Sequence, residues 1–553
     1  MKILHNKYRT IITSLILVVT SLIFILSFLS LSSCRSADID QDKVLNGSER
    51  SGGIAAVKIN LLGTEYANSD KPTQFASINQ RVLTTDNSTQ HYSVLVSPSS
   101  FITAELTPNR SLSSVASSKN LNTVATVMGD QLGAGNRFRV IVYKHDDGSY
   151  KTYQDYTVGQ PVAPLMLDGG VDYDIVVYSY GVNTLPAISS GEQTNINKAT
   201  INYDNNNRDL IYQKINYTPN GNISNNTLNI TLRHKIPNLT VVVTNNSGFD
   251  KISSVSNAKL GNDYPNATFS LESGKMLDWG NSTMIDLSFM DTGSPTTGFK
   301  SSSVFVNNDT SGNDSHFSAD IIINGQTKTI NLSKAFKIIP EHKSTLTINS
   351  YIKCGAYLGP NNTLWKDFMC QNLGATLGID PFSPEAGNHG AKYQWGTTTG
   401  EPDRYLSQYE DQSNPAYNNW SQTVKPNGSW SDTSKTQNDP CPPGYRVPTI
   451  AQWRALLENN PNMERIGTFN DDNNNYTTAI YFRNENNIRT LMLPIAGWRF
   501  GASGHLIDRG NTGYYWSSTE KDNEAVFAML EKDDVSLKIF TRLSGNSVRC
   551  IAQ

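Results

Sequence analysis

The sequence carries little charge and few histidines, and it lacks the short motifs that mark common enzyme sites. Only 17% of its 553 residues are charged, the formal net charge is -3, and the eight histidines are isolated from one another. No nucleophile elbow, P-loop, H-E-x-x-H or G-x-G-x-x-G motif occurs in it. No basic stripe of the kind that contacts nucleic acid is visible. We therefore expect neither an enzyme nor a nucleic-acid-binding protein, and we expect no cofactor.

Long helical periods and blocks of like charge are also missing, whereas Asn, Ser, Thr and Gly are abundant. This composition excludes a coiled coil, a polytopic membrane protein and a highly charged disordered chain. It favours turns and solvated strand faces. A chain of 553 residues is too long for one ordinary core, so we expect roughly two to four domains.

Cysteine is scarce in the first part of the chain and concentrated in the last part. Cys34 stands alone, and the other four all lie in the last 200 residues, at Cys354, Cys370, Cys441 and Cys550. An even number of cysteines in one region of an exported chain is typical of two disulfides, and four cysteines leave three pairings open. No C-x-x-C spacing occurs, so we expect no structural zinc and assign no metal site.

The N-terminus has the features of an export signal. A positively charged start precedes an apolar run, residues 11–31, which six Ser and Thr residues interrupt. The run ends in Leu31-Ser32-Ser33-Cys34, which resembles a bacterial lipobox. The resemblance implies that residues 1–33 are a signal peptide, that Cys34 is acylated, and that residues 34–50 form a tether or pro-segment. The alternative is a signal anchor in which the cysteine is incidental.

Residues 51–350 show a strand pattern without a helical one. Short alternating runs of β-branched and aromatic residues recur, among them 138–143 and 173–180, with Asn, Gly and Asp between them. Many short strands with such turns predict β-sandwiches. We expect two in tandem, at 51–198 and 199–350, divided at an Asn-rich stretch near residue 200.

Several of these runs resemble a known family. The run Arg137–Lys144, followed by Gly148, Tyr150 and residues 173–180, resembles the first domain of fimbrillin-like proteins of Bacteroidetes. Residues 232–241 resemble the start of their second domain. The resemblance implies a lipoprotein that an arginine-specific protease cuts, after which the emptied groove accepts a donor strand from a neighbouring subunit. In physical terms this is β-augmentation.

The cleavage site that the resemblance requires is predicted between Arg50 and Ser51. Small and polar residues flank Arg50, and it precedes the first predicted strand, so it is readily cut. The alternatives are an uncut surface arginine at this position, or cleavage at Arg81 or Arg110, which would remove the whole first strand.

The composition changes sharply after residue 351, because seven of the eight tryptophans lie beyond it. The characteristic segments are 354–357, 365–375, 393–396, 438–449, 493–499, 515–519 and 548–550. Their succession resembles the Fibrobacter succinogenes major paralogous domain over essentially all of 351–553. Residues 446–453 also resemble the C-type-lectin-like fold, and Thr449 predicts the start of a helix there.

The fold class expected for the whole chain is therefore mainly β, with two tandem fimbrillin-like β-sandwiches followed by a disulfide-bonded α+β lectin-like domain. Within that last domain we favour the disulfides Cys354–Cys370, which would clip a hairpin, and Cys441–Cys550, which would tie the chain end to its middle.

Two tryptophans are the candidate ligand contacts. Trp420 and Trp430 lie in a polar insert, residues 400–437, and we expect them to be exposed. Motif tryptophans such as Trp395, Trp498 and Trp516 are expected to lie in the core instead.

The predicted function is that of a fimbrial tip or accessory subunit and adhesin, similar to tip subunits of major fimbria. The tip position is expected because the chain continues into the cysteine-bearing domain and has no obvious strand to give. The partners implied are other fimbrial subunits, an arginine-specific protease, the outer membrane through the lipid, and a host or bacterial surface ligand such as a glycan. The protein is expected at the outer membrane, the cell surface and the fimbrium. The alternative is a non-polymerising surface lipoprotein that captures glycans for uptake.

Overall fold

The chain is mainly β, as predicted, and most of its strands are short. The computed structural model describes residues 53–67, 89–109, 131–245, 251–293, 298–308 and 315–553. Cys34, Arg50, Ser51, Arg81 and Arg110 lie outside the described residues, and the predictions made for them stay predictions. In the ranges that are described, no helix is long and apolar enough to span a membrane.

In the described part of the chain, twenty-one strands precede the cysteine-bearing domain. In chain order they are β1 (Ile54–Glu65), β2 (Gln90–Ser97), β3 (Ser100–Pro108), β4 (Arg137–Lys144), β5 (Tyr150–Thr157), β6 (Leu165–Asp168), β7 (Tyr173–Ser179), β8 (Thr200–Tyr203), β9 (Ile211–Tyr217), β10 (Asn226–His234), β11 (Asn238–Thr244), β12 (Ile252–Asp263), β13 (Ala267–Ser270), β14 (Met276–Leu277), β15 (Thr283–Leu287), β16 (Phe289–Asp291), β17 (Phe299–Ser301), β18 (Val304–Phe305), β19 (Ser315–Ile323), β20 (Gln326–Phe336) and β21 (Lys343–Lys353).

The first sandwich is built on a seven-stranded sheet with the order β5-β4-β7-β9-β10-β1-β6. One core cluster joins Val57 of β1 to Val140 of β4, although β7, β9 and β10 lie between these strands, so the sheet curls and its two halves pack on each other. On the other face Tyr143 and Tyr178 pack with Phe269 of a small sheet, β14-β13-β8.

The second sandwich packs two sheets face to face. One has the order β16-β17-β11-β21-β3-β2, with β18 also paired to β11, and the other has the order β15-β12-β19-β20. Their shared core includes Val241 and Leu346 from the first sheet and Phe317 and Ile330 from the second. Alternating burial along β19 and β21 is what a half-covered strand requires.

The predicted division at 198/199 does not separate these two sandwiches. Strands β8–β10, β13 and β14 follow residue 199 yet belong to the first sandwich, and the hairpin β2–β3 precedes residue 198 yet pairs with β21 of the second. Periodicity in a sequence locates strands, but it does not identify their partners, because pairing is decided by contacts between distant residues. The two sandwiches are therefore interleaved along the chain.

The cysteine-bearing domain contains short strands and two helices. They are β22 (Gly355–Gly359), β23 (Thr363–Asp367), β24 (Lys392–Tyr393), β25 (Tyr405–Leu406), α1 (Gln408–Ser413), β26 (Tyr445–Arg446), α2 (Ile450–Asn459), β27 (Met463–Ile466), β28 (Ala479–Arg483), β29 (Arg489–Pro494), β30 (Ala496–Arg499), β31 (Leu506–Arg509), β32 (Gly513–Lys521), β33 (Glu524–Leu530), β34 (Val535–Thr541) and β35 (Ile551–Ala552). The largest sheet has the order β31-β30-β32-β33-β34.

Helix α2 begins where the sequence predicts it. The Thr449 side chain accepts a hydrogen bond from the Gln452 N–H, and the Gln452 side chain accepts one from the Thr449 N–H, which completes a capping box. Trp453 and Leu456 face the core. The second helix, α1, was not predicted, because six residues are too few to show a helical period.

The turn of the β2–β3 hairpin holds the second sandwich against the cysteine-bearing domain. The carbonyls of Ser99 and Pro98 accept hydrogen bonds from the backbone N–H groups of Cys354 (2.8 Å) and Cys370 (2.8 Å). The Tyr445 hydroxyl adds a bond of 2.8 Å to the Ser99 hydroxyl. The first disulfide joins Cys354 and Cys370 directly under this turn.

Candidate functional site: the first strand and the cysteine-bearing domain

Strand β1 lies inside the seven-stranded sheet and is paired on both sides. It runs parallel to β10, with Val57 opposite Asn226 in the register, and antiparallel to β6, with Val57 opposite Leu165. Its side chains alternate, since Ala55, Val57 and Ile59 are buried while Lys58 is exposed. The strand therefore fills a gap between β10 and β6 with small and medium apolar side chains.

The gap that β1 fills is a groove of aliphatic residues. Its lining side chains are buried, come from β6 and β10, and are Leu165, Leu167, Leu228, Ile230 and Leu232. Without β1, these side chains and the main-chain groups of two neighbouring strands would face water. Another extended segment with alternating apolar residues would cover these side chains and form hydrogen bonds with the main-chain groups.

Charged and aromatic contacts fix the end of β1. The Glu65 carboxylate accepts a hydrogen bond of 2.7 Å from the Arg233 guanidinium, which also lies 3.8 Å from Glu341. The Tyr66 ring stacks on the His234 ring, with centroids 4.1 Å apart. These contacts set the register of β1 as well as its depth in the sheet.

The structure corrects the prediction that Trp420 and Trp430 are exposed. Trp420 is 3% exposed and Trp430 is fully buried. Their indole N–H groups donate hydrogen bonds to the carbonyls of Leu543 (2.6 Å) and Asn438 (3.0 Å), so neither ring has a free polar edge. The polar insert covers these rings, and composition alone could not reveal that because a polar segment can enclose a single aromatic ring.

The other motif tryptophans divide into two groups. Trp395 and Trp516 are fully buried, as expected. Trp498 is half-buried and contacts the exposed Phe500 and Phe540, with ring centroids 5.8 and 5.6 Å away. The half-buried Tyr514 joins them, 5.2 Å from Trp498. We call these four rings the aromatic surface. The expectation that Trp498 lies in the core is wrong, because the fold brings Tyr514 and Phe540, which are distant in the sequence, against a ring that stays partly exposed.

A buried ionic cluster lies in the same domain. The carboxylate of Asp411 accepts hydrogen bonds from Arg499 (2.8 Å) and Arg509 (2.6 Å), and the Lys392 ammonium is 3.9 Å from it. All four side chains are almost completely buried. Three cations therefore share one carboxylate. The Lys392 ammonium also donates to the Ser547 hydroxyl (3.1 Å), whereas the buried Nε of Arg509 has no hydrogen-bond partner.

Burial and mutual repulsion shift the pKa values in this cluster. Burial, then the nearby Lys392 and Arg509, lowers the pKa of His389 to about 3. Burial also lowers the pKa of Lys392 to about 8, although Asp411 opposes this shift. For Asp411 burial acts to raise the pKa, but the combined effect of the three cations lowers it. The ring of His389 is therefore neutral at pH 7, and Asp411 is ionised.

We expect the pH dependence of stability between pH 6.5 and about 5 to come largely from His389. The unfolded histidine binds a proton near pH 6.5 and the folded one does not until about pH 3, so the unfolded state holds more protons in this range and the free energy of unfolding falls as the pH falls. The loss is about 1 kcal/mol per pH unit for one such group. Urea unfolding followed by tryptophan fluorescence at pH 7, 6 and 5 measures it. His389→Gln should flatten the profile, and an unchanged slope in that variant would contradict the assignment.

Acidic side chains of the polar insert bind other side chains of the cysteine-bearing domain. In the ranges that the structure describes, no three His, Cys, Asp or Glu side chains are grouped closely enough to hold one. The carboxylate of Glu401 is instead bound by the Lys425 ammonium, at 2.9 and 3.1 Å. Asp432 accepts hydrogen bonds from the hydroxyls of Ser518 (2.6 Å) and Thr519 (2.8 Å).

Comparison with known proteins found one family model and several solved structures that are similar to this chain. A family model described as the Fibrobacter succinogenes major domain matches residues 368–552, which confirms the resemblance predicted for the C-terminal part. The chain is similar to the tip fimbrial protein Mfa3 from Porphyromonas gingivalis with C-terminal truncation, at 9% identity over 39% of this chain and 92% of that chain, with a TM-score of 0.28. It is also similar to a fimbrial assembly protein from Parabacteroides distasonis, at 11% identity over 42% of this chain and 86% of that chain, with a TM-score of 0.27. No curated protein sequence matches the chain.

Proposed function

We propose that this protein is a fimbrial tip or accessory subunit and adhesin, exported as a lipoprotein through Cys34 and acting at the cell surface without catalysis. The observation that carries the proposal is the position of β1. It is the first strand of the described chain, yet it lies in the interior of a sheet, between β10 and β6. A strand near the start of a chain can be removed by one cut, and its removal opens a groove that only another strand can fill.

The chemistry of exchange follows from the pairing of β1. An incoming strand would form main-chain hydrogen bonds with β10 and β6, and its alternate side chains would enter the positions that Ala55, Val57 and Ile59 now occupy. The groove is lined by aliphatic side chains, so leaving it empty would expose apolar surface and two strand edges. This cost favours filling the groove with a strand from a neighbouring subunit.

The position of the cut decides whether β1 leaves. Cleavage at Arg50 would remove the lipidated segment but leave β1 joined to the rest of the chain through residues that follow Glu65. Cleavage at Arg81 would leave β1 on a separate peptide, held by the sheet alone, which an incoming strand could displace. We therefore propose that Arg50 releases the lipid anchor and that Arg81 serves strand exchange.

The two cuts predict different results for two variants. Arg50→Ala should leave a precursor that stays in the membrane fraction, whereas Arg81→Ala should be released from the membrane but excluded from filaments. Peptide mass spectrometry of the mature N-terminus, on sheared filaments and on membranes, distinguishes them, and Arg137→Ala in β4 is the matched control. Normal maturation of Arg50→Ala together with normal incorporation of Arg81→Ala would contradict the proposal.

The proposal of a terminal position in the polymer is supported by the way the last strand is held. β35 pairs with β26, and the adjacent Cys550 is bonded to Cys441. A strand fixed both by pairing and by a disulfide is poorly suited to donation. The chain would then accept a strand without giving this one, which is the role of a tip subunit.

Glycan capture by a non-polymerising lipoprotein is the second candidate, and the aromatic surface is the observation that favours it. The same mass spectrometry separates the two functions. If only chains that begin at acylated Cys34 are found, in the membrane and never in filaments, the capture function is supported and assembly is excluded.

A further inference from the structure

We propose that the aromatic surface of Trp498, Phe500, Tyr514 and Phe540 binds a neutral oligosaccharide of pyranose units. The inference rests on the proposed adhesin function and gives it a ligand class and a site. Stacking of an aromatic ring on the apolar face of a pyranose, with polar groups at the sugar's edge, is the chemistry that this surface offers.

The rings are exposed enough to contact a ligand. Phe500 is 37% exposed and Phe540 is 40% exposed, and the half-buried Trp498 lies between them in contact with both. Elsewhere in the domain, exposed apolar residues such as Leu377 and Tyr409 have no ring contact of this kind among the described residues. The four rings therefore form one continuous surface rather than scattered exposed residues.

The sheet that carries the aromatic surface is curled. Trp498 is on β30 and Phe540 is on β34, and β32 and β33 lie between these strands in the sheet order. Strands in a flat sheet are about 4.8 Å apart, so three steps would separate the two by about 14 Å. Their ring centroids are only 5.6 Å apart. The sheet therefore curls, and the chain after β34 returns to β30, where Gly545 pairs with Arg499.

A carboxylate fixes two of the rings and is placed to bind a hydroxyl. The Trp498 indole N–H and the Tyr514 hydroxyl both donate to Oδ2 of Asp508, at 3.2 and 2.7 Å. Oδ1 of Asp508 takes no part in these two hydrogen bonds, so it is an acceptor at the edge of the rings. Burial, and then the hydrogen bond to Asp508, raises the pKa of Tyr514, so its hydroxyl stays protonated and keeps donating to Asp508. The exposed Lys538, two residues before Phe540 on the same face of β34, adds a donor.

This carboxylate argues for a sugar over an apolar partner. A carboxylate covered by a lipid tail or an apolar protein surface would lose its hydration without gaining a hydrogen-bond partner. A sugar covers the rings with C–H groups and presents hydroxyls to the carboxylate, so both the rings and the charge are satisfied. Further carboxylates lie nearby, since burial and then Asp508 raise the pKa of Asp471, and Glu531 contributes to the raised pKa of Tyr514. This acidic surrounding favours a neutral sugar over an anionic one.

The chain offers a closely matched pair of variants for the test. Phe540 and Ile539 are neighbours on β34 and almost equally exposed, at 40% and 41%, but they lie on opposite faces of the sheet. The full chain, purified in detergent, is titrated in a calorimeter with cellohexaose, maltohexaose, hexa-N-acetylchitohexaose and mannohexaose. At least one hexasaccharide should bind, and Phe540→Ala should weaken it roughly tenfold while Ile539→Ala leaves it unchanged.

Three results would overturn the inference. They are the failure of all four hexasaccharides to bind at millimolar concentrations, equal affinity of Phe540→Ala and the wild type, and equal weakening by both variants. Filament incorporation of the wild type is measured in parallel. If the wild type enters filaments but binds no sugar, the inference is overturned and the assembly function stands. If the wild type binds a sugar but does not enter filaments, the assembly function is overturned and the inference stands.

Discussion

Asp411→Asn is expected to destabilise the cysteine-bearing domain by about 3–5 kcal/mol, because it leaves Lys392, Arg499 and Arg509 as buried cations without a counter-charge. The asparagine keeps the volume of the side chain and one acceptor oxygen, so lost packing contributes little. The effect is measured by guanidinium unfolding followed by tryptophan fluorescence, which reports chiefly on this domain because seven of the eight tryptophans lie after residue 351.

Two further variants test whether the expected loss of stability comes from charge imbalance in the buried cluster. Lys392→Met removes the cation whose pKa is lowered to about 8 by burial, and it should be neutral or stabilising because the cluster holds more cations than one carboxylate can balance. Asp533→Asn, in an exposed turn, is the matched control and should leave stability unchanged. A loss in Lys392→Met as large as that in Asp411→Asn would show that the cluster is held by packing and not by charge balance.

The ionic cluster also shows what the sequence could not predict. Asp411 lies in α1, Lys392 in β24, and Arg499 and Arg509 in β30 and β31, so the four residues meet only when the domain is folded. In the sequence each is an ordinary charged residue. Local signals were more informative, since Thr449 and Gln452 form the capping box that begins α2, and their spacing of three residues is visible in the sequence.

The strands of the sandwiches were predictable, whereas their partners were not. Alternation located β4 and β7, which depend on local residue type, and these two strands are indeed adjacent. Nothing local indicated that β1 would pair in parallel with β10, more than 150 residues away, or that β3 would pair with β21. The candidate assembly site is made by the first of these long-range pairings, so the sequence could indicate a removable strand only through the family resemblance.

The exposure of tryptophans failed as a prediction for a related reason. The polar residues next to Trp420 and Trp430 in the sequence predict exposure, but in the folded domain their indole N–H groups bind the carbonyls of Leu543 and Asn438. Exposure depends on the whole fold, and a polar segment has backbone carbonyls with which to bind an indole N–H. The accessible rings are those of Phe500 and Phe540, and their exposure also depends on the fold and not on the residues beside them in the sequence.

Removal of the disulfide Cys441–Cys550 is expected to have the other large effect. The bond closes a loop with a sequence separation of 109 residues, against 16 for Cys354–Cys370, so it restricts the unfolded chain more. Loop-closure entropy gives about 4–5 kcal/mol for the long loop and about 3 kcal/mol for the short one. The double variant Cys441→Ser with Cys550→Ser should therefore unfold at a lower guanidinium concentration than Cys354→Ser with Cys370→Ser.

The Cys441–Cys550 disulfide is also expected to stabilise the last strand in the folded protein. β35 consists of two residues, which pair with β26 and bridge to Phe368 at Ile551, and pairings this short gain stability from a fixed end. Without the bond to Cys441, the amide of Ile551 should exchange with solvent faster, while amides in β32 and β33 keep their protection. Hydrogen exchange measured by mass spectrometry on both double variants tests this directly. Equal stability of the two variants, or unchanged exchange at Ile551, would contradict the idea that this disulfide fixes the last strand, and would reopen that strand as one the protein could donate.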